Sequence, residues 1–307
     1  MTVERQTTLK RRVSLSGVGV HSGRPVTVHF NPAEAGTGIV FRRINEGAEG
    51  RLIPALASEV VKTDLCTAVG QPGGDQVMTI EHLMSAVAGL GIDNLLVEID
   101  AAEVPIMDGS AIPFVEAFEE AGIETLQSTR KYVRVLKPVR VEANGAWAEL
   151  VPWNGTRFEV EIDFATPAIG RQSIELDLDP QTYAREISRA RTFGFIKDVE
   201  WLWAAGLALG SSLANSVVIG EDDSIVNPEG LRYPDEFVRH KTLDAIGDLS
   251  VAGGPIIGCF RSYRSGHRLN AMAVKELLAD PSAFELVHAR KTGTQFADIV
   301  PVNQGRL

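Results

Sequence analysis

Cysteine is nearly missing from this chain of 307 residues: Cys66 and Cys259 stand far apart and no C-x-x-C pair occurs. Neither a disulfide framework nor a cysteine zinc site is suggested, and both thiols are expected to be buried as small hydrophobes. Long apolar runs are also missing, since none approaches the roughly 18 residues a membrane span needs. The amino-terminal MTVERQTTLKRRVSLSG alternates polar and basic residues and lacks the apolar segment of a secretory signal, so cytoplasmic residence is the expectation. Positive charge is in deficit: the net charge of -10 argues against wholesale attraction to nucleic acid or anionic lipid. An anionic substrate would need a local basic pocket.

What is present is the composition of a soluble globular protein, 44% hydrophobic and 23% charged, long enough for two domains of ordinary size. VSLSGVGVHSG and RPVTVHFNP alternate with a period of two and predict a hairpin, and GTGIVFRRI and NLLVEIDA read as further strands. TIEHLMSAVAGLGI places Leu83, Ala86, Val87 and Leu90 at helical spacing, with Thr79 as N-cap and Gly91 as stop. PIMDGSAIPFVEAFEEAGI is a turn followed by a second helix. The polar QSTRKY near 127–132 is the best boundary, giving units of 1–128 and 129–307. The second unit repeats the order of the first: helix, strand, glycine turn, helix. Gly89 and Gly247 stand the same distance after His82 and His240, and the Gly109-Ser110 and Gly266-His267 turns follow at nearly equal separations. The predicted class is α+β, two related sheet-plus-helices units packed through their helices with a cleft between them.

EFVRHKTLDAIGDL reads as an amphipathic helix with His240, Asp244 and Asp248 at steps of four along one stripe. Residues one turn apart can both reach one point, which is the geometry of two metal ligands, His240 and Asp244. A lone H-x-x-x-D is more often a surface pair, so a third ligand is required, and the repeat supplies His82 near the amino end of its own helix, where the dipole favours neutral imidazole. Two histidines and one aspartate with an open fourth position are the set of a catalytic zinc, which lowers the pKa of water to roughly 7. Glu81 beside His82 is the candidate base, its other reading being a carboxylate that stabilises the helix terminus. His267 on the SGH turn, paired with Asp248, is the candidate protonated acid. His29 and His288 read as structural, and His21 either lines the cleft or closes a turn.

With Glu81-His82, IMDGS, RARTFGF, HKTLDAIGD and SGH in place along nearly the whole chain, the sequence resembles the zinc-dependent UDP-3-O-acyl-N-acetylglucosamine deacetylases of lipid A synthesis. The resemblance implies a pair of α+β units, each with a small insert, and a site between them. It implies zinc on His82, His240 and Asp244, Glu81 as base, His267 as acid supported by Asp248, Thr192 assisting the oxyanion and Phe193 as a substrate-side wall. The implied substrate is UDP-linked acylated glucosamine, losing its N-acetyl group as acetate. Lys241 and Arg264 are then the cations for its diphosphate, and Asp163 and Phe164 match the part that holds the uridine. The insert around 193–220 resembles an apolar passage for the acyl chain, walled by Ile196, Val199, Trp203, Leu213 and Val217. Ala146 stands where some members carry a diphosphate-binding lysine, and Ser211, Ser216 and Trp203 suggest a narrower or bent passage.

Iron suits these ligands as well as zinc. A monomer is expected, with no nucleic-acid partner and no stable membrane insertion. Rival readings are a zinc amidase acting on another N-acyl sugar, a non-catalytic α+β binding module, and a protein in which zinc only joins the halves.

Overall fold

The computed structural model describes residues 3–45 and 48–302. Strand β1 (Arg5–Leu9) leads into the expected antiparallel hairpin of β2 (Val13–Val18) and β3 (Pro25–Pro32). Val26, Val28 and Phe30 turn into the core in the period of two read from the sequence. Strands β4 (Ile39–Asn45) and β5 (Ala48–Pro54) pair with each other. A small separate sheet follows from β6 (Val60–Lys62), β7 (Ala68–Gly70) and β8 (Gln76–Val77).

Helix α1 (Glu81–Leu90), strand β9 (Leu95–Ile99), helix α2 (Ile112–Ala121) and strand β10 (Ile123–Thr129) complete this part. Gly91 ends α1 in the left-handed region at φ 68°, the expected stop. Thr79 is not the cap that the sequence predicts. It has φ 58°, the helix starts after Ile80 without a side-chain cap, and the Thr79 hydroxyl donates to buried Glu103 at 3.0 Å. Strand β10 returns to pair with β1, so residues 127–129 of the polar stretch are strand, and Arg130 and Lys131 form the link onward.

The chain continues through β11 (Tyr132–Val135), β12 (Val139–Ala143), β13 (Ala146–Val151), β14 (Thr156–Asp163) and β15 (Arg171–Asp177). A turn α3 (Pro180–Thr182), capped by Asp179, precedes the short insert elements β16 (Phe193–Phe195), α4 (Val199–Ala204) and β17 (Val217–Ile219). Helix α5 (Glu236–Leu249), strand β18 (Ile256–Tyr263), helix α6 (His267–Ala279) and strands β19 (Phe284–Thr292) and β20 (Gln295–Pro301) finish it.

The α+β class is as expected, and the two larger sheets share one plan. The first runs β2-β3-β9-β4-β5, antiparallel except between β9 and β4. Within the second, the path β12-β13-β18-β14-β15 is antiparallel except between β18 and β14. In both, the central strand is the one flanked by helices, α1-β9-α2 and α5-β18-α6. Strand β11 also joins β18, and β19 and β20 extend that side. No helix among the described residues is long and apolar enough to cross a membrane.

Helix α1 packs on α5, which also contacts α6. The approach is close because Gly247 carries no side chain, and Gly89, at the matching position of α1, leaves similar room for Tyr183 outside α5. A β-carbon on Gly247 would overlap the Glu81 carbonyl, and one on Gly89 would overlap the Tyr183 ring. Helix α5, amphipathic by sequence, is covered nearly all round: 12 of its 14 residues are buried. Its polar side chains are covered because each meets a partner. Glu236, fully buried, binds Arg191 at 2.9 Å, and the Thr242 hydroxyl donates to the Val238 carbonyl at 2.8 Å.

Gly247→Ala should therefore push α5 off α1, costing about 1–3 kcal/mol of stability and depressing activity. Gly74→Ala, where an added β-carbon meets only ordinary contacts, serves as the control. Thermal unfolding of the two variants should separate them clearly.

Candidate active site

The first turn of α1 and the middle of α5 bring three candidate ligand groups together. One nitrogen each from His82 and His240 and one oxygen from Asp244 lie within 4.8 Å of one another, all buried. Asp244 Oδ1 is 3.6 Å from His82 Nε2 and 3.4 Å from His240 Nε2. The two imidazoles meet edge to face, 5.0 Å between centroids. His240 Nδ1 donates to the Ala190 carbonyl at 3.1 Å, which leaves the Nε2 lone pair directed to the cluster.

Burial pushes the His240 pKa down to about 3, so the ring is neutral. Burial alone would raise the Asp244 carboxyl. The His240 imidazole and the Lys241 ammonium, 2.8 Å from Oδ2, override it and hold the carboxyl well below the usual range. Among the described residues, Oδ1 is left buried without a hydrogen-bond partner, as is His82 Nδ1. A buried carboxylate oxygen with no donor is costly unless a cation takes it. Neutral imidazole, ionised carboxylate and an orphaned oxygen aimed at one point fit a divalent metal ion.

Beside the triad lies a second buried cluster. Glu81 Oε2 accepts from the Thr67 amide at 2.9 Å, and Oε1 faces His267 Nε2 at 3.9 Å. His267 Nδ1 donates to Asp248 Oδ2 at 2.9 Å, Asn270 donates to the same oxygen at 2.9 Å, and the Thr67 hydroxyl donates to Oδ1 at 2.6 Å. Burial raises the Glu81 carboxyl. Burial opposes charge on His267, yet Asp248 and Glu81 overcome it and push its pKa up to about 10. A basic carboxylate thus stands next to a protonated imidazole, an arrangement suited to moving protons in opposite directions.

The segment before the insert clasps His240 from the other side. Ala190 accepts from the ring, Phe193 packs on it at 6.2 Å and on Phe237 at 4.9 Å, and Thr192 lies between, its amide donating to the Gly109 carbonyl at 2.7 Å. A neighbouring pocket of about 260 Å³ brings together Asp163, Phe164, Lys241 and Arg264. Tyr263 donates to Asp163 at 2.7 Å, and Lys241 reaches both this pocket and Asp244.

On the insert, Ile196, Trp203 and Leu213 are exposed and Val199 is half-buried, whereas Val217 is fully buried in β17. Ser211 and Ser216 bond each other at 3.2 Å. Ala146 is half-buried on β13, opposite Ala143. His21 is buried, its amide donating to Glu103 at 2.8 Å. His29 bonds Ser14 at 2.7 Å, and His288 donates to the Arg130 carbonyl at 2.8 Å. Cys66 and Cys259 are buried free thiols, as expected, each pushed up to about 12 by burial.

Sequence reasoning missed Thr67, Asn270 and Glu103. Asn270 had a signal, three residues past His267 on one helix face. Thr67 had none, because its partners come from α1 and α5 across the fold.

A buried two-imidazole, one-carboxylate centre between packed helices, flanked by a carboxylate and a charged imidazole, is the arrangement of metal-assisted hydrolases. The family model described as LpxC, UDP-3-O-acyl N-acetylglycosamine deacetylase, matches residues 6–279. Proteins named UDP-3-O-acyl-N-acetylglucosamine deacetylase from Brucella ovis, Brucella canis and Brucella melitensis are each 56% identical to this chain over 284 residues, spanning 92% of it and 99% of their own lengths. The chain belongs to the UDP-3-O-acyl N-acetylglycosamine deacetylase family.

Replacing Asp244 by Asn or His240 by Ala should lower divalent-metal affinity by more than the about 10–100-fold that loss of an outer-shell partner brings. Metal content after equilibrium dialysis, read by elemental analysis, checks this without reference to turnover.

Proposed function

We propose that the protein hydrolyses the N-acetyl amide of UDP-3-O-(3-hydroxyacyl)-N-acetylglucosamine to the free amine and acetate, the early committed step of lipid A synthesis. The observation that carries the reading is the convergence of His82, His240 and Asp244 beside the Glu81–His267–Asp248 cluster. Names borne by relatives 56% identical to this chain supply the substrate.

His82, His240 and Asp244 hold the metal, zinc by preference and iron as the alternative. Zinc there supplies Lewis-acid polarisation of a carbonyl and lowers the pKa of water. Glu81, held by the Thr67 amide, takes the proton from the attacking water. The leaving nitrogen cannot depart as an amide anion, so His267, kept charged by Asp248, delivers a proton to it. Thr192 assists the developing oxyanion and Phe193 walls the substrate side.

Lys241 and Arg264 receive the diphosphate, and Asp163 and Phe164 the uridine, in the pocket where they meet. The exposed Ile196 and Trp203, with Val199, receive the acyl chain. In this reading the chain acts as a cytoplasmic monomer of two units, 1–128 and 129–307, joined across the site.

The deciding experiment follows acetate release from the named substrate by purified protein, before and after chelation and zinc return. Activity should vanish with chelator and return with zinc. Glu81→Gln should lower kcat by about 10²–10⁴-fold. No release by folded, zinc-loaded protein, with release from another N-acyl sugar, would replace the substrate while keeping the chemistry.

The pH profile gives a second check. Glu81 must be ionised, so activity rises through its raised pKa. His267 must be protonated, so activity falls as pH climbs through about 10. Asp248→Asn removes a charge that holds that proton, and the alkaline limb should move to lower pH.

A further inference from the structure

A cavity of about 680 Å³ lies where the carboxyl-terminal ends of α1 and α5 meet the second sheet, walled in part by residues 87–94 and by Leu249 and Ser250. That volume is ordinary for a small-molecule site. None of Glu81, His82, His240, Asp244, Asp248 or His267 lines it. Its inner wall is apolar: Met84, Val87, Leu150, Phe158, Ile246 and Phe260 are each buried. Its ionisable wall runs against the charge of the chain. Five cations, Arg5, Arg130, Lys131, Arg157 and Lys291, face three anions, Glu4, Asp93 and Asp179, in a protein with net charge -10.

Two donors on this wall have capacity to spare. Tyr132 is 2% exposed, and its hydroxyl, with the Arg130 guanidinium beside it, is buried and donates to no acceptor among the described residues. Lys291 pairs across β19 and β20 with Phe296, whose ring meets that of Tyr132 at 4.9 Å. Among the described residues its ammonium makes one long hydrogen bond, 3.4 Å to the Leu178 carbonyl, with the Asp179 and Glu4 carboxylates near enough to act on it, and burial lowers its pKa. Arg130, by contrast, is occupied by Asp93 at 2.7 Å and the Gly91 carbonyl at 2.6 Å. A phenol and an ammonium both donate, so the complement is an acceptor with negative charge. The apolar wall behind them asks for a chain.

We propose that this cavity is a second ligand site, taking a single-chain amphiphile with an anionic head, such as a fatty carboxylate, whose head meets Lys291 and Tyr132 and whose tail lies along Met84, Val87 and Phe260. The site goes beyond the deacetylation reading and stands apart from the insert where the substrate's acyl chain is placed.

Calorimetric titration of the full chain with decanoate and decanol tests it. Wild type should bind decanoate, and Lys291→Met should weaken that binding about tenfold or more, the loss expected for a hydrogen bond to a charged group. Lys291→Arg should retain most of the affinity, decanol should not distinguish wild type from Lys291→Met, and deacetylation by Lys291→Met should be unchanged. Tyr132→Phe, which removes one oxygen, should weaken decanoate several-fold and decides the matter if circular dichroism shows Lys291→Met to be unfolded. No binding of decanoate by wild type, or equal affinity in wild type, Lys291→Met and Tyr132→Phe, overturns the proposal; the second result places the chain at the insert instead.

Discussion

The site depends on how closely α1 approaches α5. The carbonyl of Glu81, the first residue of α1, sits against the bare backbone of Gly247, one turn beyond the Asp244 that faces His82. Any side chain at Gly247 would separate the helices and pull His82 away from Asp244. Interiors are packed too densely to absorb such a shift elsewhere. Gly89 repeats the device at the other end of α1, where the Tyr183 ring takes the space. The candidate metal ligand and the candidate base are neighbours in the sequence, so one helix placement positions both.

Packing two helices this tightly forces polar side chains out of water, and each must find a partner or be neutral. Along α5 nearly all do: Glu236 with Arg191, His240 with Ala190, Asp248 with Thr67, His267 and Asn270. Among the described residues of α5, the one buried side-chain oxygen left over is Asp244 Oδ1. Its surplus of negative charge lies where two imidazole nitrogens also point. The Thr67 contacts tie the second cluster together, since one residue holds Glu81 through its amide and Asp248 through its hydroxyl.

Much of this was legible in the sequence, because period-two strands, helical spacing and helix stops are local signals. The hairpin of β2 and β3, the extents of α1 and α2, and the His240–Asp244 spacing all follow from residues within a turn or two of each other. His82 was reachable through the repeat, which the matching strand order of the two sheets now extends. Thr79 failed as a cap because Glu103, distant in sequence, captures its hydroxyl. The partners that cover the polar stripe of α5 could not be read from the helix itself, because Arg191, Thr67 and Asn270 all lie outside it. Cavities such as the one behind Tyr132 leave no periodic trace, since they are properties of several elements at once.

The site's division between distant parts of the chain bears on how the protein is made. Glu81 and His82 leave the ribosome long before His240, Asp244 and His267 are synthesised, so the three candidate metal ligands cannot come together until α5 has formed, nor the second cluster until α6 has. In the meantime the face of α1 that will lie against α5 has nothing to cover it, and long-range closure of this kind is slow. The unfinished chain therefore presents both an incomplete chelator and an uncovered apolar helix, the sort of surface that chaperones hold until synthesis is complete.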